Sequence, residues 1–153
     1  MKKEWIEFIG KAKQNTCASS LFFPKKTEDG AKRYLVEEGC LKYTDIYFGN
    51  LVDCGQERLY VDGKVVWMMS YRGGIFEEFD HLNKKAFNFL KKCIRMALAE
   101  FPIRGPKKVE EGDWLYENKW EGDIEGFVGE ENIYFRGEKL CFRNYLGGLI
   151  RNR

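Results

Sequence analysis

Histidine and paired cysteines are scarce in this sequence. It has one histidine, His81, and five cysteines that are scattered singly, with no C-x-x-C pair. A Ser/His/Asp or Cys/His catalytic centre would depend on His81, which lies at the predicted start of a helix, where polar residues commonly cap. Isolated cysteines in odd number are typical of reduced thiols in a cytosol. We therefore expect no metal site and no cofactor, and the sequence favours a non-enzyme.

Net charge and long apolar runs are also lacking. The formal net charge is +2, which creates little long-range field and gives no indication of a nucleic-acid partner. No apolar run approaches the length that spans a bilayer, and the opening MKKEWIEFIGKAK carries charges throughout, unlike a signal peptide. We expect a cytoplasmic protein without a membrane partner, folded as a single domain over residues 1–153.

The sequence does contain an internal repeat. Residues 60–75 read YVDGKVVWMMSYRGGI and residues 134–149 read YFRGEKLCFRNYLGGL; they align without a gap, 74 positions apart, with five of 16 positions identical. Composition alone would give roughly one identity. This pattern predicts a duplication, with half-unit one at about residues 3–75 and half-unit two at about residues 80–150.

Hydrophobic periodicity predicts a helix before each copy and strands within it. The helices are expected at residues 3–13 and 80–101, the second ending at Pro102, and residues 15–33 are expected to form a loop. Strands are expected at 40–48, 56–61 and 65–71, with a two-residue turn at Asp62-Gly63. We predict an α+β fold in which two three-stranded meanders join into one antiparallel sheet, with both helices on one face.

The alternation of side chains along a strand predicts which of them face the helices. Val66 and Met68 correspond to apolar residues in the second copy, so their phase is expected to face the helices. Trp67 and Met69 lie on the other phase and are expected on the outer surface. The glycine pairs that close both copies are interpreted as strand ends where only glycine fits, rather than as a phosphate-binding loop.

Carboxylates set among aromatic residues form the candidate site. Aromatic rings supply apolar area and cation–π attraction, and a carboxylate supplies the counter-charge for an organic cation or a flat heteroaromatic ligand. The residues we expect to bind such a ligand are Glu57, Trp67, Tyr71, Tyr47, Asp45 and Tyr43.

Three alternatives remain open at this point. The aromatic residues could be ordinary cross-strand packing pairs, with Glu57 in a local salt bridge. Trp67 and Met69 could form the contact of a homodimer, because a large apolar sheet face is seldom left bare. Glu57 and Glu131 could act as acid and base of a small hydrolase if both lined one cleft.

Several motifs resemble those of a known family. The run YTDIYFGNLVDCGQERLYVDGKVVWMMSYRGG, followed by FPIRGP, DWLYEN, EGD and YLGGLI, resembles an uncharacterised bacterial and archaeal domain family that often follows a helix-turn-helix of the XRE regulator type. The resemblance covers nearly the whole chain and implies a sensing or regulatory module, which we expect to stand alone here. A looser similarity of plan links the chain to gyrase-inhibitor-like domains, which bind drug-like cations with aromatics and a glutamate.

Overall fold

The structure, a computed structural model, describes residues 1–19, 21 and 23–151. Within them the fold is α+β, with two α-helices and one nine-stranded sheet. The helices are α1 (Lys3–Asn15) and α2 (Asn83–Arg95), and a 3-10 helix at Glu77–Leu82 precedes α2. The strands are β1 (Lys25–Lys26), β2 (Lys32–Glu38), β3 (Leu41–Gly49), β4 (Val52–Val61), β5 (Lys64–Ile75), β6 (Lys108–Glu111), β7 (Trp114–Asp123), β8 (Gly126–Phe135) and β9 (Glu138–Leu149).

The sheet is antiparallel throughout, in the order β1-β2-β3-β4-β5-β9-β8-β7-β6. Strands β5 and β9, which carry most of the sequence repeat, are both 12 residues long and pair with each other at the centre. The remaining strands follow outward on either side in reverse chain order. This arrangement is consistent with two half-units, although duplication itself stays a prediction.

The hairpin turns follow from local sequence. Asp62 and Gly63 both have positive φ, 49° and 77°, as a two-residue turn between strongly twisted strands requires. Arg136 and Gly137 adopt the same conformation, with φ of 50° and 81°. The predicted two-residue turn at Asp62-Gly63 is confirmed. Arg136-Gly137 forms the equivalent turn in the second half, although arginine is less typical than aspartate at its first position.

The prediction of which residues face the helices was wrong for β5. Trp67 and Met69 are fully buried under the helices, whereas Met68 lies on the opposite phase and is only partly buried. A β-bulge explains the error: Leu59 pairs with Trp67 and Tyr60 with Val65, which leaves an extra residue in β5. A bulge of this kind shifts the alternation of every residue beyond it.

Both helices cover the same face of the sheet, which we call the inner face. Helix α1 packs through Phe8, Ile9 and Ala12 against a cluster that includes Trp67 and Met69. Helix α2 packs through Ala86, Phe89 and Cys93 against a second cluster, to which β5 contributes Ile75. Trp67, Met69 and Ile75 share one phase of β5, so both helices cover the same side, as predicted.

Several boundaries differ from those predicted. Helix α2 ends at Arg95 instead of reaching residue 101, and Phe101 lies beyond this end, stacked on Trp120 with ring centroids 4.5 Å apart. Strands β2 and β6 were missed, so each half of the sheet has more strands than a three-stranded meander. The segment predicted as a loop, 15–33, contains β1 and the start of β2; its positions 20 and 22 lie outside the described residues.

We predict that Gly73→Ala will destabilise the protein by about 3 kcal/mol, because the new methyl group would overpack the centre of the sheet. A Cβ at Gly73 would lie 2.4 Å from the Phe142 carbonyl oxygen and 2.7 Å from the Arg143 Cα. Gly126→Ala is the control, because a Cβ there meets nothing within 4 Å. Urea unfolding measures both; equal stability of the two variants would contradict the close approach of β5 and β9.

Candidate functional site

A cavity of about 330 Å³ opens on the inner face, between β2, β3 and β4 on one side and α2 on the other. Its deepest wall carries Asp45 and Glu57, which are 3% and 1% exposed. Closer to the opening lie the rings of Tyr34 and Tyr47, stacked with centroids 6.3 Å apart and planes at 22°. The cavity therefore combines a polar floor with aromatic walls.

The two carboxyls on the floor are direct neighbours across the sheet, because Asp45 of β3 pairs in register with Glu57 of β4. Lys13 of α1, itself fully buried, places its Nζ 2.5 Å from Glu57 Oε1. The Tyr71 hydroxyl donates a hydrogen bond of 2.7 Å to Asp45 Oδ1. The two buried carboxyls thus have a single lysine as their counter-charge.

This imbalance changes the acidity of Asp45. Burial raises the pKa of Asp45 to about 7, and the neighbouring Glu57 adds to the increase. Lys13, the hydrogen bond from Tyr71 and Arg143 act in the opposite direction but do not cancel it. Near neutral pH, Asp45 therefore exchanges a proton readily, or accepts a cation in place of one.

Glu57 retains unused hydrogen-bonding capacity. Within the described part of the chain, Glu57 Oε2 and the hydroxyl of Tyr43 are buried without a hydrogen-bond partner. Burial, and then the charges of Glu57 and Asp45, raise the pKa of Tyr43 well above its usual value. The floor of the cavity therefore offers an acceptor oxygen as well as a proton-exchanging carboxyl.

A second buried carboxylate, Glu131 of β8, has a different environment. Arg104 Nε donates to Glu131 Oε2 over 2.9 Å, and the Tyr116 hydroxyl donates to the same oxygen over 2.7 Å. Arg143 Nε lies 3.6 Å from Glu131 Oε1. Burial alone would raise the pKa of Glu131, but the two arginines and these hydrogen bonds hold it below its usual value. Glu131 is therefore fixed as an anion.

Backbone around Gly105 fills the space beside Glu131. Asn118 occupies the position beside Glu131 that Asp45 occupies beside Glu57. Its Oδ1 accepts a 2.6 Å hydrogen bond from the Tyr145 hydroxyl, and its Nδ2 donates to the Gly105 carbonyl over 2.7 Å. A neutral amide and a backbone segment thus fill the space here, whereas a carboxyl faces the cavity in the first half of the sheet.

Arginine side chains separate the two centres. Arg143 of β9 forms two hydrogen bonds with Asp53, of 2.7 and 3.0 Å, and its guanidinium lies 4.8 Å from the centroid of the Tyr71 ring. Glu57 lines the main cavity, while Glu131 lines a separate narrow one. This network has four carboxyls and three cations: Asp45, Asp53, Glu57 and Glu131, against Lys13, Arg104 and Arg143.

The structure brings four of the six expected site residues together and separates the other two. Asp45, Glu57, Tyr47 and Tyr71 line the cavity. Tyr43 and Trp67 are fully buried in the core beneath α1, and Trp67 Nε1 donates a 2.8 Å hydrogen bond to the Ile124 carbonyl. These last two are placed to support the floor of the cavity.

Sequence reasoning missed the cations of the site. Lys13 ends the predicted helix 3–13 and Arg143 lies in the second copy of the repeat; neither was among the expected site residues, and both are buried. The repeat aligns Arg143 with the apolar Met69, which was the available sequence signal for its burial. His81 is exposed in the 3-10 helix and does not line the cavity.

Two further features are absent from residues 1–19, 21 and 23–151. No group of three or more His, Cys, Asp or Glu side chains is arranged to hold a metal ion. No helix in the same ranges has the length and apolar character needed to cross a membrane.

Comparison with known families gives one match. The domain of unknown function DUF5680 matches residues 45–150, which is most of the chain and includes the carboxyl pair. The chain belongs to this family. No curated protein and no solved structure shows significant similarity. The DUF5680 match thus agrees with the resemblance to an uncharacterised domain family and assigns no activity.

We predict that Lys13→Met will lower the free energy of unfolding by about 3 kcal/mol, because it leaves Glu57 buried without its cation. Lys11→Met, on the same helix, is the matched control: Lys11 pairs with Glu38 in an exposed ion pair, and its loss should cost less than about 1 kcal/mol. Chemical denaturation measures both. Similar losses for the two variants would show that the Lys13–Glu57 pair is not buried.

We also predict a specific pH dependence for Asp45→Asn. Asn118 shows that an amide at this position can accept the tyrosine hydrogen bond, so the variant should fold. The pKa of about 7 in the folded state exceeds the unfolded value near 4. The folded wild type therefore holds a proton that the unfolded chain has lost, and its stability falls as pH rises from about 4 to about 7.

The free energy of unfolding of wild type, relative to Asp45→Asn, should thus decrease by up to about 1.4 kcal/mol per pH unit in this window and level off above it. Denaturant titrations at about pH 5, 6, 7 and 8 measure this difference, and the last value tests the levelling above the window. A difference that does not change with pH would contradict the raised pKa of Asp45.

Proposed function

We propose that this DUF5680 protein is a cytoplasmic, non-catalytic sensing module that binds a small aromatic or cationic ligand in the cavity above Asp45 and Glu57. The observation that carries the proposal is the charge imbalance on the cavity floor. Asp45 and Glu57 share one lysine, and the other two cations of the network are paired with Asp53 and Glu131. A ligand with a protonated nitrogen would supply the missing positive charge, and a neutral N–H group would supply a hydrogen-bond donor.

The size and walls of the cavity support a compact organic ligand. A volume of about 330 Å³ is at the lower end of the range for small-molecule sites, which are mostly apolar with a few placed polar groups. The stacked Tyr34 and Tyr47, together with Phe87 of α2, provide that apolar lining. Aromatic faces also attract cations directly, in addition to the area they bury.

The wider resemblances belong to the same proposal. Gyrase-inhibitor-like domains bind cations with aromatic rings and a glutamate, and here Asp45 and Glu57 would have that role. The link to XRE-type regulators, in which related domains follow a DNA-binding helix-turn-helix, suggests that ligand binding serves regulation. The arrangement of aromatic rings around a buried acid supports this analogy at the level of the site.

The hydrolase alternative has less support than ligand binding. It needs Glu57 and Glu131 in one cleft, but they line separate cavities, and Glu131 is held as an anion by Arg104 and Tyr116. Trp67 and Met69 are both 0% exposed, so they offer no surface for a homodimer contact. A homodimer through another surface remains a proposal without a specific observation in its favour.

We predict that a thermal-shift screen of amines, amidines and aminopyrimidines will find ligands that Asp45→Asn weakens about tenfold, the effect of losing one charge-assisted hydrogen bond. Binding should tighten as pH rises toward about 7, because the ligand then displaces less proton from Asp45. Glu130→Gln, which alters an exposed carboxylate outside the cavity, is the control. Binding that is unchanged in Asp45→Asn would refute the proposed site.

A further inference from the structure

Charge is distributed unevenly along the depth of the cavity. The buried floor carries Asp45 and Glu57. The partly exposed rim carries two lysines, Lys32 of β2 and Lys91 of α2, on opposite sides of the opening. Over residues 1–19, 21 and 23–151, neither lysine lies within ion-pair distance of a carboxylate. The cavity thus has acidic groups at its floor and unpaired positive charge at its rim.

Local contacts fix the position of Lys32. Its Nζ donates a 2.9 Å hydrogen bond to the Gly49 carbonyl, and it also contacts Asn50 Oδ1. The same ammonium lies 5.4 Å from the centroid of the Tyr47 ring. These neutral partners orient the ammonium without cancelling its charge, so it remains able to bind an anion at the rim.

The remaining charged groups of the cavity do not change this polarity. Asp53, also near the opening, is engaged by both terminal nitrogens of Arg143. Arg104 is engaged by Glu131. The groups left with unmatched charge are therefore acidic at the floor and basic at the rim.

We infer that the ligand of this site is amphoteric: it has an amine or N–H-donating group for Asp45 and Glu57 at one end, and a carboxylate or phosphate for Lys32 and Lys91 at the other. A flat ring between the two ends would lie against Tyr47. This inference rests on the proposed function and adds the second, anionic end of the ligand. A purely cationic ligand would leave both lysines without a counter-charge.

Three probes of the same shape separate the contributions of the two ends. 4-(Aminomethyl)benzoate carries an amine and a carboxylate on opposite ends of a ring, 4-methylbenzylamine lacks the carboxylate, and 4-methylbenzoate lacks the amine. Calorimetric titration of wild type should show the first binding about fivefold more tightly than the second, the upper range for a partly exposed ion pair. The third should bind more weakly than both. Added salt should reduce the preference.

Lysine variants test the assignment of the rim. Lys32→Met and Lys91→Met keep most of the length of the side chain but remove its charge, so each should weaken binding of 4-(aminomethyl)benzoate and lower the preference for it, without weakening binding of 4-methylbenzylamine. Lys84→Met is the matched control, because Lys84 is an exposed lysine of α2 that does not line the cavity. A preference that both rim variants retain would overturn the inference.

Failure of the inference and failure of the proposed function give different results. If the two amines bind wild type equally and Asp45→Asn weakens both, the anionic end is wrong and the cation site stands. If neither amine binds at millimolar concentration, the proposed function and the inference are both overturned. Folding of each variant is checked by its thermal transition without ligand.

Discussion

The Lys13–Glu57 ion pair is the contact on which the rest of the site depends. A carboxylate as buried as Glu57 needs a cation, because the low dielectric of the interior makes an unpaired charge costly. The cation comes from α1, so the pair fixes that helix against the middle of the sheet. It also leaves Asp45, directly across the sheet, as the carboxyl without a cation of its own. Burial, and then the charge of Glu57, raise the pKa of Asp45, and the two carboxyls together form the polar floor of the cavity.

The two halves of the sheet each contain a buried glutamate, and they stabilise it in different ways. Glu131 is matched by Arg104, and its neighbour Asn118 is a neutral amide held by the backbone of Gly105. That centre is closed and electrically balanced, as a purely structural site would be. The centre around Glu57 replaces the amide with a carboxyl, Asp45, and faces a cavity. The difference between two otherwise similar centres supports a binding role for the first.

Local signals allowed part of this to be predicted. The turn at Asp62-Gly63 and helix α1 depend on neighbouring residues, and residue type alone selected Asp45, Glu57, Tyr47 and Tyr71, which line the cavity. The bulge in β5 could not be predicted, because nothing in the sequence marks the extra residue, and it reversed the expected exposure of Trp67. Strand β2, with an alternating but mostly polar sequence, was not predicted for the same lack of a strong local signal.

The sequence by itself determined the α+β class, the turn at Asp62-Gly63 and the acidic and aromatic residues of the candidate site, because these depend on periodicity, local turn chemistry and residue type. Only the tertiary structure decided which charges meet. Lys13 and Glu57 are 44 residues apart, and Arg143 and Asp53 are 90 apart, so no local pattern relates them. Whether a buried carboxyl is balanced, and therefore whether it is free to bind a ligand, depends on those distant partners and on the cavity that forms between them.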